Sequence, residues 1–443
     1  MRAREIVLAL VIVLGGVFLY YAKTGRMAWD WDGLDGIFSA RGEEFVFEAS
    51  QAIDEPMPAQ VEIRNDHGAV EIEGAGTGPV TILFRKHVWR KDKAAAQTVA
   101  DALKMIVNRV GDRLVLSTNR DDFKTKKFET DFKLVVPAGT PVLVHNAYGP
   151  VKAKGTGPAE LINTHGRVSA AAINGGLVLR TSYDDAIVDG IQGDCRIETP
   201  HGQVVVQNVQ GDLVVESSYG SVRAERAAKK LTISAPHSEV TAKDIRGDCE
   251  IGSSYETIRA TRTAALKIRG RNSDILLSEI KGAVDVLDDH GTLDAGTIQG
   301  SFKVEGKDLR VSARSIDGGE TRFRTSYGDV ELLDVAGPAF ITLSHGDLIL
   351  RPREPAGPIE VQGSYCAATL EWPAGLRAPF EGRTQSANID WGLTEKPSLA
   401  TSNGTSVTKA FPDAAGKPAI TIVTTYGDIR VLPAPGGETR RGQ

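Results

Sequence analysis

The stretch TPHGQVVVQNVQGDLVVESSYG, residues 199–220, states one pattern twice. A small residue, a spacer, a His or Tyr and then Gly occur as Thr199-Pro200-His201-Gly202 and again as Ser217-Ser218-Tyr219-Gly220. Eighteen residues separate the two rings. Counted from His201, Val204, Val206 and Val209 stand at +3, +5 and +8, and Leu213 and Val215 at +12 and +14. The same offsets from Tyr219 give Val222, Ala224, Ala227, Leu231 and Ile233, and from Tyr183 they give Ala186, Val188, Ile191, Cys195 and Ile197. Two short runs of period two in each unit read as strands with one buried face.

The register extends over most of the 443 residues. Its ring position is filled by His67, Tyr148, His165, Tyr183, His201, Tyr219, His237, Tyr255, His290, Tyr327, His345, Tyr365 and Tyr426, with Asn272, Asp308 and Ser386 in the same place. Six of the eight histidines and seven of the nine tyrosines obey this spacing, so it is a property of the fold. A second turn carries Gly193-Asp194, Gly211-Asp212 and Gly247-Asp248, with Gly282 and Gly300 equivalent. There glycine is expected to supply a positive φ and aspartate a local hydrogen bond.

Two strands of about five residues and two turns fill one unit, which predicts an all-β chain: a single-stranded parallel β-helix, or β-solenoid, with one coil per ~18 residues. Roughly fourteen contiguous coils at about 4.8 Å per rung would extend on the order of 65 Å. A β-propeller needs units nearer ~40 residues, and a β-sandwich would not need identical offsets. Glycine at 47 residues and aromatics at 6% suit many tight turns around a core of small aliphatic side chains.

Three segments depart from the rhythm. Residues 5–22, EIVLALVIVLGGVFLYYA, read as an N-terminal transmembrane helix, short but flanked by Arg2, Arg4, Lys23 and Arg26, with Tyr20 and Tyr21 at the interface. A cleaved signal peptide is the alternative, and it lacks a clear small-x-small cleavage site. The flanking charges do not fix orientation; the fold suggests a periplasmic or extracellular body. Residues 92–110 place Ala95, Val99, Leu103, Ile106 and Val110 on one stripe, an amphipathic helix expected to cap the solenoid. The resulting organisation is 1–26 anchor, 27–59 linker and first strand region, 60–147 solenoid start with the capping helix, 148–372 regular array, 373–433 irregular C-terminal coils, and 434–443 disordered tail.

The run FKLVVPAGTPVLVHNAYGPVKAKG, residues 132–155, followed by repeated Gly-x-Val-x-Val steps, resembles the bacterial putative-adhesin family of domains of unknown function. The resemblance covers residues 60–435 and implies a right-handed β-helix; it brings no catalytic residues with it.

Side chains that could carry chemistry are few. Alternating histidines would lie about 9.6 Å apart, two rungs, too far to share a zinc ion with ligands at ~2.0–2.1 Å. A structural stack of Tyr on His is therefore expected at the ring position, leaning over the end of the core; a 36-residue coil would instead make a continuous His column. Cys195 and Cys249 occupy the +12 core position three rungs apart and are expected to be buried and inert. Cys366 follows Tyr365 where Gly usually stands and is expected to be the accessible thiol. The pairs Asp184-Asp185 and Asp288-Asp289 read as solvated turns.

No cofactor or metal motif is visible, and a net charge of -5 offers no basic field for nucleic acid. The expected function is a membrane-anchored, non-catalytic surface for structure or adhesion, with a glycan or protein partner. The alternatives are an envelope scaffold that self-associates through its solenoid ends and a carbohydrate-active β-helix enzyme.

Overall fold

The computed structural model describes residues 42–53, 57–414 and 416–435. The expected anchor at residues 5–22 and residues 436–443 of the expected tail at 434–443 lie outside the described residues. Among the described residues no helix is long and apolar enough to cross a membrane.

The chain divides into two compact units. Among the described residues the smaller comprises 42–48, 85–104 and 119–129. It contains the one α-helix among the described residues, Lys93–Ala102. Asp92 caps that helix by accepting a hydrogen bond from the Ala95 amide at 2.8 Å. Ala96, Ala100 and Leu103 pack with Val88 and Phe128 in a core of their own. The helix is shorter than the apolar stripe predicts. Leu103 leaves the helical conformation with ψ of 114°, and Met105–Val110 is a strand. Its β-branched Ile106 and Val107 pair with Ser117 and Leu116, a tertiary contact that outweighs helical periodicity.

The larger unit is a β-solenoid. Thirteen consecutive coils run from Val142 to Trp372, each beginning about eighteen residues after the last. His201 pairs with Tyr219, Val204 with Val222 and Cys195 with Leu213, all in parallel register. The +3, +5, +8, +12 and +14 side chains converge from the two strand runs of each coil on one continuous core. Val206, Val209 and Val215 are fully buried. A buried aliphatic side chain of this size contributes roughly 1.5–3 kcal/mol, and the repetition multiplies that contribution coil by coil.

Spatial order departs from chain order at both ends. Residues 60–74 lie between the coil made by Arg113–Thr118 and Phe128–Val136 and the coil that starts at Val142. At the other end Ile420–Thr425 and Ile429–Pro433 insert between the coil at 359–372 and the coil made by Phe380–Gln385 and Ile389–Trp391. The chain thus builds an end coil out of sequence twice, within 75–141 and within 373–419, and the neighbouring segment slots in between in register. The second excursion is ordered strand. At each end one strand run carries an antiparallel partner: Met105–Val110 on Arg113–Thr118, and Thr405–Ala410 on Phe380–Gln385 with Ser398–Ser402 beyond it.

The second turn corrects one expectation. Gly193 and Gly211 are not in the positive-φ region. A Cβ on Gly193 would sit 2.7 Å from the Gly175 carbonyl carbon, so close backbone approach between rungs demands the glycine. Nor is the aspartate bond local: Asp194 accepts from the Asp212 amide at 2.9 Å, one rung on.

Candidate functional site

Each coil has two bends, and each bend carries its own column of side chains. The first bend holds the rings. His67, Tyr148, His165, Tyr183, His201, Tyr219, His237 and Tyr255 form an unbroken stack with centroids 4.5–5.7 Å apart. A shorter stack joins Tyr327, His345, Tyr365 and Tyr426. Threading at the ends explains two long jumps in sequence: His67 lies directly on Tyr148 at 4.5 Å, and Tyr365 on Tyr426 at 4.9 Å.

Consecutive ring positions are one rung apart, so no continuous histidine column exists. Among the described residues no group of three His, Cys, Asp or Glu side chains could share a metal ion.

The rings do not cover the core. The seven tyrosines are 46–59% exposed, so the ladder is an edge-on aromatic strip at the surface. It is also interrupted. Asn272, His290 and Asp308 occupy three successive rungs, and His290 therefore has no ring to stack on. All three have φ of 50–65°. The strip tolerates Asn and Asp there because these residues adopt left-handed backbone at low cost. Where glycine follows the ring, as at Tyr219-Gly220, glycine takes the positive φ instead, 134° at Gly220.

Beneath the rings runs a buried polar column that the sequence showed only as small residues two positions earlier. Asn65, Asn146, Asn163, Thr181, Thr199 and Ser217 belong to it. Asn163 Nδ2 donates to the carbonyls of Gly149 at 3.0 Å and Gly166 at 2.7 Å, joining one turn to the next. The charged member is Asp288, fully buried between the rungs of Gly270 and Gly306. Its Oδ2 accepts from the Ser273 amide at 3.2 Å, while Oδ1 has no partner. Burial pushes its carboxyl up to about 6. Asp288 is therefore not a solvated turn residue.

By contrast, Asp289 accepts from the Lys307 amide, Asp184 from the Gly166 amide and Asp185 from the Gln203 amide, all bonds between rungs.

Cysteines 195 and 249 are buried, and desolvation pushes both thiols up to about 12. Cys366 is buried as well, its thiol pushed up to about 11. Tyr365 takes the left-handed conformation, φ 53°, and Cys366 lies beside Gly363, whose lack of a Cβ leaves room for Sγ. Cys366 is not the accessible thiol that its place in the sequence suggests.

The second bend carries a second left-handed column. Ala172, Gly190, Asn208, Arg226, Asp244, Arg262 and Glu279 all have φ of 51–75°. Their side chains bond along the stack. Asn208 donates to Asp189 at 2.6 Å, Arg226 Nε to Asn208 at 2.7 Å, and Arg262 to both carboxylate oxygens of Asp244 at 2.6 and 3.2 Å. The Arg262 bond holds the Asp244 carboxyl below the usual carboxylate range. Beside this column lies a groove of about 820 Å³ spanning the rungs from Asn208 to Gln299.

No family model matches the chain. No curated protein matches it. Among solved structures, a putative cell adhesion protein from Clostridium sporogenes matches at 7% identity and a TM-score of 0.18, covering 88% of this chain and 100% of that one. A superposition that weak places no constraint on function; the β-solenoid itself is the part of the family resemblance that this chain displays.

Proposed function

We propose that the protein is a non-catalytic, membrane-anchored β-solenoid that presents a structural or adhesive binding surface outside the cytoplasm, its body periplasmic or extracellular. The observation that carries this reading is how the polar and aromatic side chains are used. They form in-register exposed columns along both bends, one residue per rung, instead of converging on one reacting centre. Parallel rungs hold such columns at a fixed ~4.8 Å repeat, which suits a long partner that is itself repetitive.

Joining of coils end to end is disfavoured by the antiparallel outermost strands, because a parallel stack cannot continue through them in register.

The test is retention of the full chain on isolated bacterial envelope material and on its separated glycan and protein fractions. Saturable retention without release of reducing ends is the expected result. Steady product release would overturn the non-catalytic reading, and absence of retention on every fraction would overturn the binding surface.

A further inference from the structure

We infer that the groove on the second bend binds a linear polysaccharide with a carboxylate on every second sugar, an alternating uronate polymer, with Arg246 and Lys281 as its two cationic contacts. This rests on the binding-surface reading and names its ligand class.

The groove has a floor, a wall and a pattern of vacant charge. The column nine residues after the ring position reads Gln210, Ala228, Arg246, Ala264, Lys281 and Gln299. Ala228 and Ala264 are short and leave recesses between the longer side chains. The wall is the left-handed column, whose Arg226, Asp244 and Arg262 are already committed to neighbours along the stack. Arg246 and Lys281 differ: both are exposed, and neither makes a side-chain hydrogen bond or ion pair among the described residues. Gln210 and Gln299, one at each end, also have uncommitted amides. The groove therefore offers two free cations, two free amides and an occupied charge lattice behind them.

Geometry selects the polymer. Arg246 and Lys281 are two rungs apart, about 9.6 Å. A duplex nucleic acid presents one negative charge per ~1.7 Å, which would crowd Asp244 and Glu279 in the same groove. An acidic peptide would dock by adding a strand, and these rungs have no free edge: the Gln210 amide donates to Ile191, Ala228 to Val209, Lys281 to Thr263 and Gln299 to Ile280. A polymer with charges spaced by sugar rings meets two isolated cations without pressing on the carboxylates. Its hydroxyls match Gln210 and Gln299, and carboxylate on guanidinium is a strong charge-assisted pair.

The test is binding of the full chain to hyaluronan, in which uronate and neutral sugars alternate, at low and moderate salt, beside its methyl ester, a neutral glucan and duplex DNA. The expected result is salt-sensitive binding to hyaluronan alone. The double variant Arg246→Ala/Lys281→Ala should weaken it by about tenfold or more. The control Lys307→Ala/Arg310→Ala, two exposed cations outside the groove, should leave it unchanged. Equal binding of the two double variants, equal binding of DNA, or no binding to hyaluronan would each overturn the inference. If envelope fractions still retain the chain in that event, the binding-surface reading survives; if they do not, both fall.

Discussion

The imidazole of His201 lies 5.5 Å from the ring of Tyr219 one rung away, with only 9° between their planes. Tyr219 meets His237 on its other face at 5.4 Å. Each such ring pair is worth about 0.5–1.5 kcal/mol beyond burial, and partial exposure favours the lower end. Tyr219→Ala should therefore destabilise the solenoid by about 1–2 kcal/mol. His290→Ala, at a rung with no ring above or below, should cost less than about 0.5 kcal/mol. Urea unfolding of both variants checks this. Equal losses would mean that stacking is not what the ladder contributes.

Asp288 makes the protein's stability depend on pH in the direction opposite to most carboxylates. Its folded pKa is about 6 against an ordinary 3.8, because burial penalises the charge. Between about pH 4 and pH 6 the folded chain holds a proton there that the unfolded chain has lost, so stability falls as pH rises through that window. The stabilisation is fully present below the window and gone above it. Asp288→Asn should be more stable at pH 7, by about 2–3 kcal/mol from a shift of roughly two units. It should also remove this contribution to the pH profile. The model for the replacement is Asn163, whose Nδ2 bonds the carbonyl three residues on at Gly166. Thermal unfolding of both proteins from pH 4 to 8 measures the difference. A less stable Asn variant at pH 7, or a constant gap across the range, would refute the role of burial.

The coil and its register were legible in the sequence because period-two burial and an eighteen-residue repeat come straight from the residues: Val204, Val206 and Leu213 name their own faces. The strip of rings was legible as spacing, but its exposure was not. Continuing the core parity from Val215 through Ser217 to Tyr219 turns the ring inward, whereas left-handed or glycine-borne turns at each rung swing it out. Cys366 fails for the same reason in reverse, since Tyr365 absorbs the turn that a following glycine usually makes. The threading at 75–141 and 373–419 was not readable, because nothing in a linear register says that His67 will sit on Tyr148. The groove was missed for want of a signal: Arg246 and Lys281 look like ordinary surface cations until the rungs are stacked.

Burial of all three thiols predicts their chemistry. With Cys195 and Cys249 pushed up to about 12 and Cys366 to about 11, almost no thiolate exists at neutral pH. The thiolate is the reactive species. The native chain should therefore react with a maleimide at none of the three positions over a period in which the urea-unfolded chain reacts at all three. Rapid labelling of Cys366 alone in the native chain would show that the turn at Tyr365 opens and would restore the reading taken from its sequence position.

The last coil at the C-terminal end shows how the stack is stopped. Phe380–Gln385 has Ile420–Thr425 on one side in parallel and Thr405–Ala410 on the other in antiparallel register. Ser398–Ser402 follows, exposed along its whole length, with Leu399 68% exposed. Removing the two antiparallel strands would leave the backbone donors and acceptors of Phe380–Gln385 unpaired on an edge that matches the solenoid's own geometry. Unpaired edges of that kind recruit other chains. Replacing residues 398–410 by a short Gly-Ser linker should convert a monomer into species whose mass rises with concentration, read by light scattering across a dilution series. Circular dichroism at the same concentrations should retain the strand signal, which separates ordered edge pairing from unfolding. Leu399→Lys, which keeps the hairpin and adds charge to its outer strand, should remain monomeric. If the linker variant is monomeric at all concentrations, the antiparallel pair is not what blocks association. If the unaltered chain itself assembles, the ends are open in a way that would favour a self-associating scaffold over a binding surface that works as a single chain.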